Sequence, residues 1–199
     1  MLTTKTMHSI LQELAKDRPV FHSEADFRVH LARKIRKYCD KNKDKKTELE
    51  VDSEYPLPGK KTQIDILVTL GELRFPIELK YKTRKFQETV NGEEFHLKEH
   101  SAANDNCYSF WQDVKRVENF PFAKGFVIFL TNESGYWKKD GKGCDYEDFN
   151  IRDGKTKSGT MEWGNSKKKP MSLSGKYKIH WESYSRNGEF RYLLLEVEK

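Results

Sequence analysis

The chain has 199 residues, 36% hydrophobic and 34% charged, with 37 Lys and Arg against 31 Asp and Glu. That length carries one domain with a sizeable core, and the 13% aromatic content together with the many acids excludes a disordered chain or a histone-like tail. The net charge of +6 leans towards a polyanionic partner.

Three cysteines, Cys39, Cys107 and Cys144, are odd in number and far apart, with no CxxC or HxxxH pair. They read as reduced thiols of a cytoplasmic protein and give no zinc site. The opening MLTTKTMHSILQELAKDRP lacks the apolar stretch of a signal peptide. No run approaches the roughly 18 apolar residues of a membrane span, so no membrane partner is expected.

Residues 4 to 16 read as an amphipathic helix with Met7, Ile10, Leu11 and Leu14 on one face, ended by Asp17 to Pro19. Ser23 starts a second helix that reaches residue 42, with Asp26 as capping-box partner. Its buried stripe is Phe27, Leu31, Ile35 and Tyr38, and its other faces and exit are basic, beginning at Arg28 and Arg33. Thr47 to Leu57 is a loosely alternating strand closed by Pro58-Gly59. Gln63 to Leu70 and Leu73 to Lys82 are the next two strands, with Pro76 near the start of the latter. Residues 86 to 98 form a small hairpin around Asn91-Gly92. Residues 104 to 119 read as a helix with Phe110, Val114 and Val117 inward, and Lys124 to Thr131 as a central strand covered on both sides.

Residues 132 to 175 are rich in Gly, Lys, Asp and Ser and are expected to be a long polar loop, with Lys167, Lys168 and Lys169 inside it. Residues 176 to 199 read as a C-terminal β-hairpin turning at Arg186-Asn187-Gly188. The order predicts an α/β architecture, a mixed central sheet flanked by helices, as a single domain over residues 1–199 with its core at about 23–131.

The chemistry concentrates in QIDILVTLGELRFPIELKYK, residues 63 to 82. With Gly71-Glu72 as a two-residue turn, Leu70 faces Leu73 and Asp65 comes opposite Glu78. Lys80 then shares their face, while Ile64, Ile66, Ile77 and Leu79 point to the other and bury there. Cross-strand neighbours have Cβ atoms about 4.5–5.5 Å apart. Two carboxylates that close repel unless something intervenes, and a hard divalent cation, Mg2+ or Mn2+, is suited to both. Lys80 beside it would hold a phosphate oxygen or orient an attacking water, which points to metal-assisted hydrolysis of a phosphodiester. As a bare string the pattern arises by chance at roughly one match per four aspartates. A surface hairpin with an Asp65–Lys80 or Glu78–Lys80 ion pair is the structural alternative.

Here the sequence resembles the PD-(D/E)xK nuclease superfamily, of restriction-endonuclease-like fold. The resemblance spans residues 23 to about 131 in order: acidic helix, strand, Asp strand, ExK strand, helix, core strand. It implies Asp65 and Glu78 as magnesium ligands and Lys80 as the residue assisting the nucleophilic water. The proline of the family's name is replaced by Ile64 before Asp65.

Glu24 lies on the continuation of the second helix's buried stripe. The resemblance matches it to a glutamate that completes the metal site, and a helix-N-terminal acid next to a Ser23 cap is the alternative. The helix at 104–119 offers Gln112, Asp113, Lys115 and Arg116, and superfamily members place a polar or basic residue of this helix near the scissile phosphate. Asp113 and Arg116, spaced i, i+3, are also able to pair on the helix surface. Tyr108 and Trp111 read as core or rim aromatics. Lys82, Arg84 and Lys85 follow Lys80 and extend a basic surface for a phosphate backbone. His22, His96 and His100 have no metal spacing.

The expectation is a Mg2+-dependent endonuclease acting on DNA, with a homodimer as the candidate assembly for cutting two strands. The alternatives are a catalytically inactive nucleic-acid-binding domain and a protein-interaction domain of the same fold.

Overall fold

The computed structural model describes residues 1–59, 61–121, 124–138 and 144–198. Helix α1 (Thr4–Asp17) starts at Thr3, whose hydroxyl accepts from Thr6 N–H, and buries Met7, Ile10, Leu11 and Leu14 as predicted. Helix α2 (Glu24–Asn42) starts at Ser23, whose Oγ accepts from Asp26 N–H at 3.1 Å. Asp26 Oδ2 in turn accepts from His22 N–H at 3.0 Å, so this reciprocal cap closes one residue earlier than a standard capping box. The α2 stripe ends on Cys39 rather than Tyr38, which is only half-buried.

The strands β1 (Leu49–Pro56), β2 (Gln63–Leu70) and β3 (Leu73–Lys82) follow as a meander, then the small hairpin β4 (Phe86–Val90) and β5 (Glu93–Leu97). Helix α3 (Ala103–Glu118) leads to β6 (Gly125–Thr131), which is buried along its whole length. Gly125 is forced by packing: a Cβ there would stand 2.5 Å from Val117 Cγ1 and 2.6 Å from the Pro76 carbonyl oxygen.

Two expectations about the C-terminal third need correction. Residues 132–175 are not a structureless polar loop, although residues 139–143 of that segment lie outside the described residues. The segment contains 3-10 turns at Ser134–Tyr136 and Glu147–Phe149, strand β7 (Thr156–Met161) and most of β8 (Met171–Lys178). Tyr136, Phe149, Ile151, Met161, Trp163, Met171 and Leu173 from it are buried against α3. Its strand β7 is exposed along most of its length and β8 on alternate side chains, and its apolar content sits in scattered aromatics and methionines, so the composition reads as polar. Residues 176–178 then belong to β8, which pairs with β7. The true C-terminal hairpin is β9 (Trp181–Ser185) with β10 (Phe190–Val197), and it is not an appendage, because β10 pairs with β6 inside the main sheet.

The six-stranded sheet runs β1-β2-β3-β6-β10-β9, with β3 and β6 parallel and every other neighbour antiparallel. One face, carrying Ile66, Ile77, Leu79, Tyr81, Ile128 and Tyr192, packs on α1, α2 and the β4–β5 hairpin. The other, carrying Val127, Phe129, Leu193 and Leu195, packs on α3 and the β7–β8 ribbon. The result is a mixed α/β fold with three helices on a mixed sheet. No helix among the described residues is long and apolar enough to cross a membrane.

Candidate active site

The β2–β3 ladder holds the predicted register from Leu70↔Leu73 to Ile66↔Ile77 and stops there, one step before Asp65 and Glu78. Gly71, at φ +61°, makes the turn that sets this register. Beyond Ile77 the edge of β3 opens, and its N–H groups at two-residue spacing are held by side chains. Leu79 N–H donates to Asp65 Oδ2 at 2.8 Å, Tyr81 N–H to Glu24 Oε2 at 2.8 Å, and Thr83 N–H to His100 Nδ1 at 3.1 Å. Buried N–H groups need acceptors, so two of the predicted acids stand at successive positions on one open strand edge, ~7 Å apart along it.

The β1–β2 ladder also skips this level: Ser53 pairs with Ile66 and Tyr55 with Ile64, passing over Glu54 and Asp65. Glu54 sits at φ +56°, a conformation that costs a non-glycine residue ~1 kcal/mol or more. The alternation slips here too. Ile64 does not join Ile66, Ile77 and Leu79 as expected but packs with Leu67 and Phe120 in a separate cluster. Both ladders that flank β2 are thus interrupted at the level of Asp65.

On the α3 side of β3, Glu78 and Lys80 enter a closed ion network. Arg116 NH1 lies 2.6 Å from Glu78 Oε1 and 3.0 Å from Asp113 Oδ1, and Lys80 Nζ lies 2.5 Å from Asp113 Oδ2. The side chains of Glu78 and Asp113 are 2% and 3% exposed. Burial, then the neighbouring Asp113, pushes the Glu78 carboxyl up to about 9 although Arg116 opposes the shift. Burial also raises Asp113 against the pull of Lys80. Burial disfavours charge on Lys80, but its bonded partner Asp113 outweighs that and keeps its pKa above the ordinary value. The 2.6 Å ion pair by itself would keep Glu78 ionised; the desolvation of a nearly dry carboxylate beside a second one is the larger effect.

A pH dependence follows. Glu78 holds its proton in the fold up to about pH 9 but titrates near the ordinary glutamate value when unfolded. In between, the native state binds more protons, so this contribution is fully present below the unfolded pKa and is lost as pH rises towards 9. Urea denaturation at steps from about pH 5 to about pH 9 is expected to show stability falling, with a shallower slope in Glu78→Gln. Equal slopes in the two proteins would contradict the assignment.

Arg28 and Asp113 are the residues whose part sequence reasoning missed. Arg28, read as helix surface, donates to Asp65 Oδ1 at 3.2 Å and pairs with Glu54 at 2.8 Å. Asp113 does pair with Arg116, but beneath the helix and against β3 rather than on the surface. The signal was present, because Asp113 falls on the Phe110–Val114–Val117 stripe. Lys80 pairs with Asp113 and with neither Asp65 nor Glu78, unlike the surface-hairpin alternative.

Among the remaining candidates, Lys82 Nζ lies 3.4 Å from Glu24. Arg84 pairs with Glu189 at 3.4 Å, and Lys85 and Gln112 are exposed. Lys115 turns to Glu118 and to Ser174 on β8, away from Glu78. Trp111 is core, donating to the Phe149 carbonyl, and Tyr108 is half-buried, donating to the Lys169 carbonyl. Lys168 of the lysine run pairs with Asp105 at 2.8 Å.

Among the described residues no three His, Cys, Asp or Glu side chains are grouped to hold a metal ion. For Asp65 and Glu78 to take a hard divalent cation, each would exchange a present partner for it, Asp65 its Arg28 or Leu79 N–H and Glu78 its Arg116. They are oxygen donors, and a cation beside Glu78 relieves the same burden that its proton relieves. No family model, curated protein or solved structure matches the chain at a significant level.

Proposed function

We propose that the protein is a metal-dependent nuclease of restriction-endonuclease-like fold, hydrolysing phosphodiester bonds of DNA. The observation that carries the reading is the opening of the β2–β3 ladder at Asp65 and Glu78, with Lys80 held beside them in a desolvated ion network. Support comes from the order helix, three sheet strands, a small hairpin, helix, sheet strand from Glu24 to Thr131, with β3 and β6 parallel. The net charge of +6 suits a polyanion.

In this reading Asp65 and Glu78 hold Mg2+ or Mn2+, with Glu24 in support from the same strand edge. Bound there, such an ion would supply Lewis acidity towards a phosphodiester. Lys80, kept cationic by Asp113, orients the water and takes a phosphate oxygen. Arg116, displaced from Glu78, becomes available to a second phosphate oxygen. Arg28 restrains Asp65 so that one carboxylate oxygen stays on the Leu79 N–H.

One observation favours a second reading. Glu78, Asp113, Lys80 and Arg116 satisfy one another, as in a domain of this fold kept for nucleic-acid or protein binding without catalysis. Nicking of supercoiled plasmid with Mg2+ separates the two. The nuclease reading expects cleavage by the wild type and loss of it in both Asp65→Ala and Lys80→Ala. Cleavage that survives both substitutions overturns the site, and salt-sensitive DNA binding without turnover favours the second reading.

A further inference from the structure

The β7–β8 ribbon has two unlike faces. Met161, Met171, Leu173 and Tyr177 are buried against α3. The opposite face presents Thr156, Ser158 and Thr160 from β7 and Ser172, Lys176 and Lys178 from β8, all exposed. The pairing sets Thr156 across from Lys178 and Ser158 across from Lys176, so hydroxyls and ammonium groups stand side by side. These six outward positions include no acid and no aromatic residue, and Lys176 and Lys178 form no ion pair with any described residue. Lys167 and Lys169 are exposed in the segment that joins the strands, as is Glu162 just after β7.

The ribbon is fixed to the helix that carries Arg116. Glu118, buried at the end of α3, accepts from Ser174 N–H at 2.8 Å, Gly175 N–H at 2.9 Å and Tyr177 Oη–H at 2.8 Å. Its other oxygen takes Lys115 Nζ at 2.9 Å. Glu118 and Arg116 are two residues apart on one helix, so whatever docks on the ribbon is held rigidly with respect to Glu78 and Lys80.

We propose that this outer face of the β7–β8 ribbon is a docking surface for the phosphodiester backbone of double-stranded DNA. Lysine amines and Ser/Thr hydroxyls are the groups that contact phosphate without reading sequence. An eight-residue strand extends ~27 Å, along which a duplex offers one negative charge per ~1.7 Å of axis. A two-stranded ribbon also has the width that a major groove admits. Single strands are held by stacking on aromatic side chains, and this face presents none. The choice of DNA rests on the nuclease reading, whereas the surface itself does not require catalysis.

The test is fluorescence anisotropy of a labelled duplex of about 20 base pairs with the full chain in chelator, at several salt concentrations. The wild type is compared with Lys176→Glu/Lys178→Glu and, as a control elsewhere, Lys37→Glu/Lys41→Glu on α2. Unchanged thermal unfolding establishes that each variant is folded. The proposal expects ribbon reversal to weaken binding at least ~10-fold and to reduce the salt slope by about 2, with a much smaller change in the control. Equal weakening in both variants, no weakening in the ribbon variant, or no duplex binding by the wild type overturns it. Tighter binding of a single strand, or ribbon-dependent binding to anionic vesicles in preference to duplex, overturns the assigned partner. Because the binding is measured without metal, the two claims separate. Ribbon-dependent binding without Mg2+-dependent nicking sinks only the catalytic reading, and nicking without ribbon-dependent binding sinks only the ribbon.

Discussion

Arg116→Met is expected to destabilise the fold by ~3 kcal/mol near neutral pH, the low end of the range for removing one partner of a buried ion pair. Arg116 is the shared counter-ion of Glu78 and Asp113, whose side chains are 2% and 3% exposed. Without it two buried acids share Lys80, which touches only Asp113. The cost stays at the low end because Glu78 already holds its proton to about pH 9, and a neutral carboxyl loses less when its partner leaves. Because that carboxyl is already neutral, adding Glu78→Gln to Arg116→Met is expected to recover little of the loss, whereas adding Asp113→Asn, which removes the other acid facing Arg116, is expected to recover more, a non-additivity in a double-mutant cycle read by urea denaturation. Additive losses in the Arg116–Asp113 cycle would mean that the two are not energetically coupled.

If the protein is the proposed nuclease, Lys80→Ala is expected to lower DNA cleavage by ~10²–10⁴-fold while changing duplex affinity little. Its ammonium is one cation among many for binding, but it alone is held on the acids' strand by Asp113. Lys80→Arg is not expected to rescue, because a planar guanidinium cannot reproduce a point charge seated 2.5 Å from Asp113 Oδ2. Single-turnover kinetics on saturating plasmid, alongside anisotropy in chelator, separates the two quantities. A loss of affinity that matches the loss of rate would make Lys80 a binding residue.

Local chemistry made much of the fold legible. Ser23 and the period of Phe27, Leu31 and Ile35 marked α2, and Gly71 with its apolar flanks fixed both the limits and the register of the β2–β3 hairpin. The site was legible as far as that register runs. Where the ladder opens, Asp65 swings onto Leu79 N–H and Ile64 changes sides. Arg28, distant in sequence, reaches both Asp65 and Glu54 only once α2 lies over the sheet. Strand periodicity carries no trace of such a contact. Asp113 sat on a visible helical stripe, but an i, i+3 acid–base pair is far more often a solvated one. The β7–β8 ribbon was hidden because half its side chains face water and its buried half is Met, Tyr and Leu at two-residue spacing. The lysines that made the segment look like a loop lie on its outer face and in its turn.

Whether Asp65 and Glu78 together hold a divalent cation, as proposed, is decided by anomalous diffraction from crystals soaked in Mn2+. A manganese peak next to both carboxylates is expected, with Arg116 withdrawn from Glu78 and Lys80 still on Asp113. No peak between Asp65 and Glu78 at saturating Mn2+, with Arg116 still bound to Glu78, would contradict it.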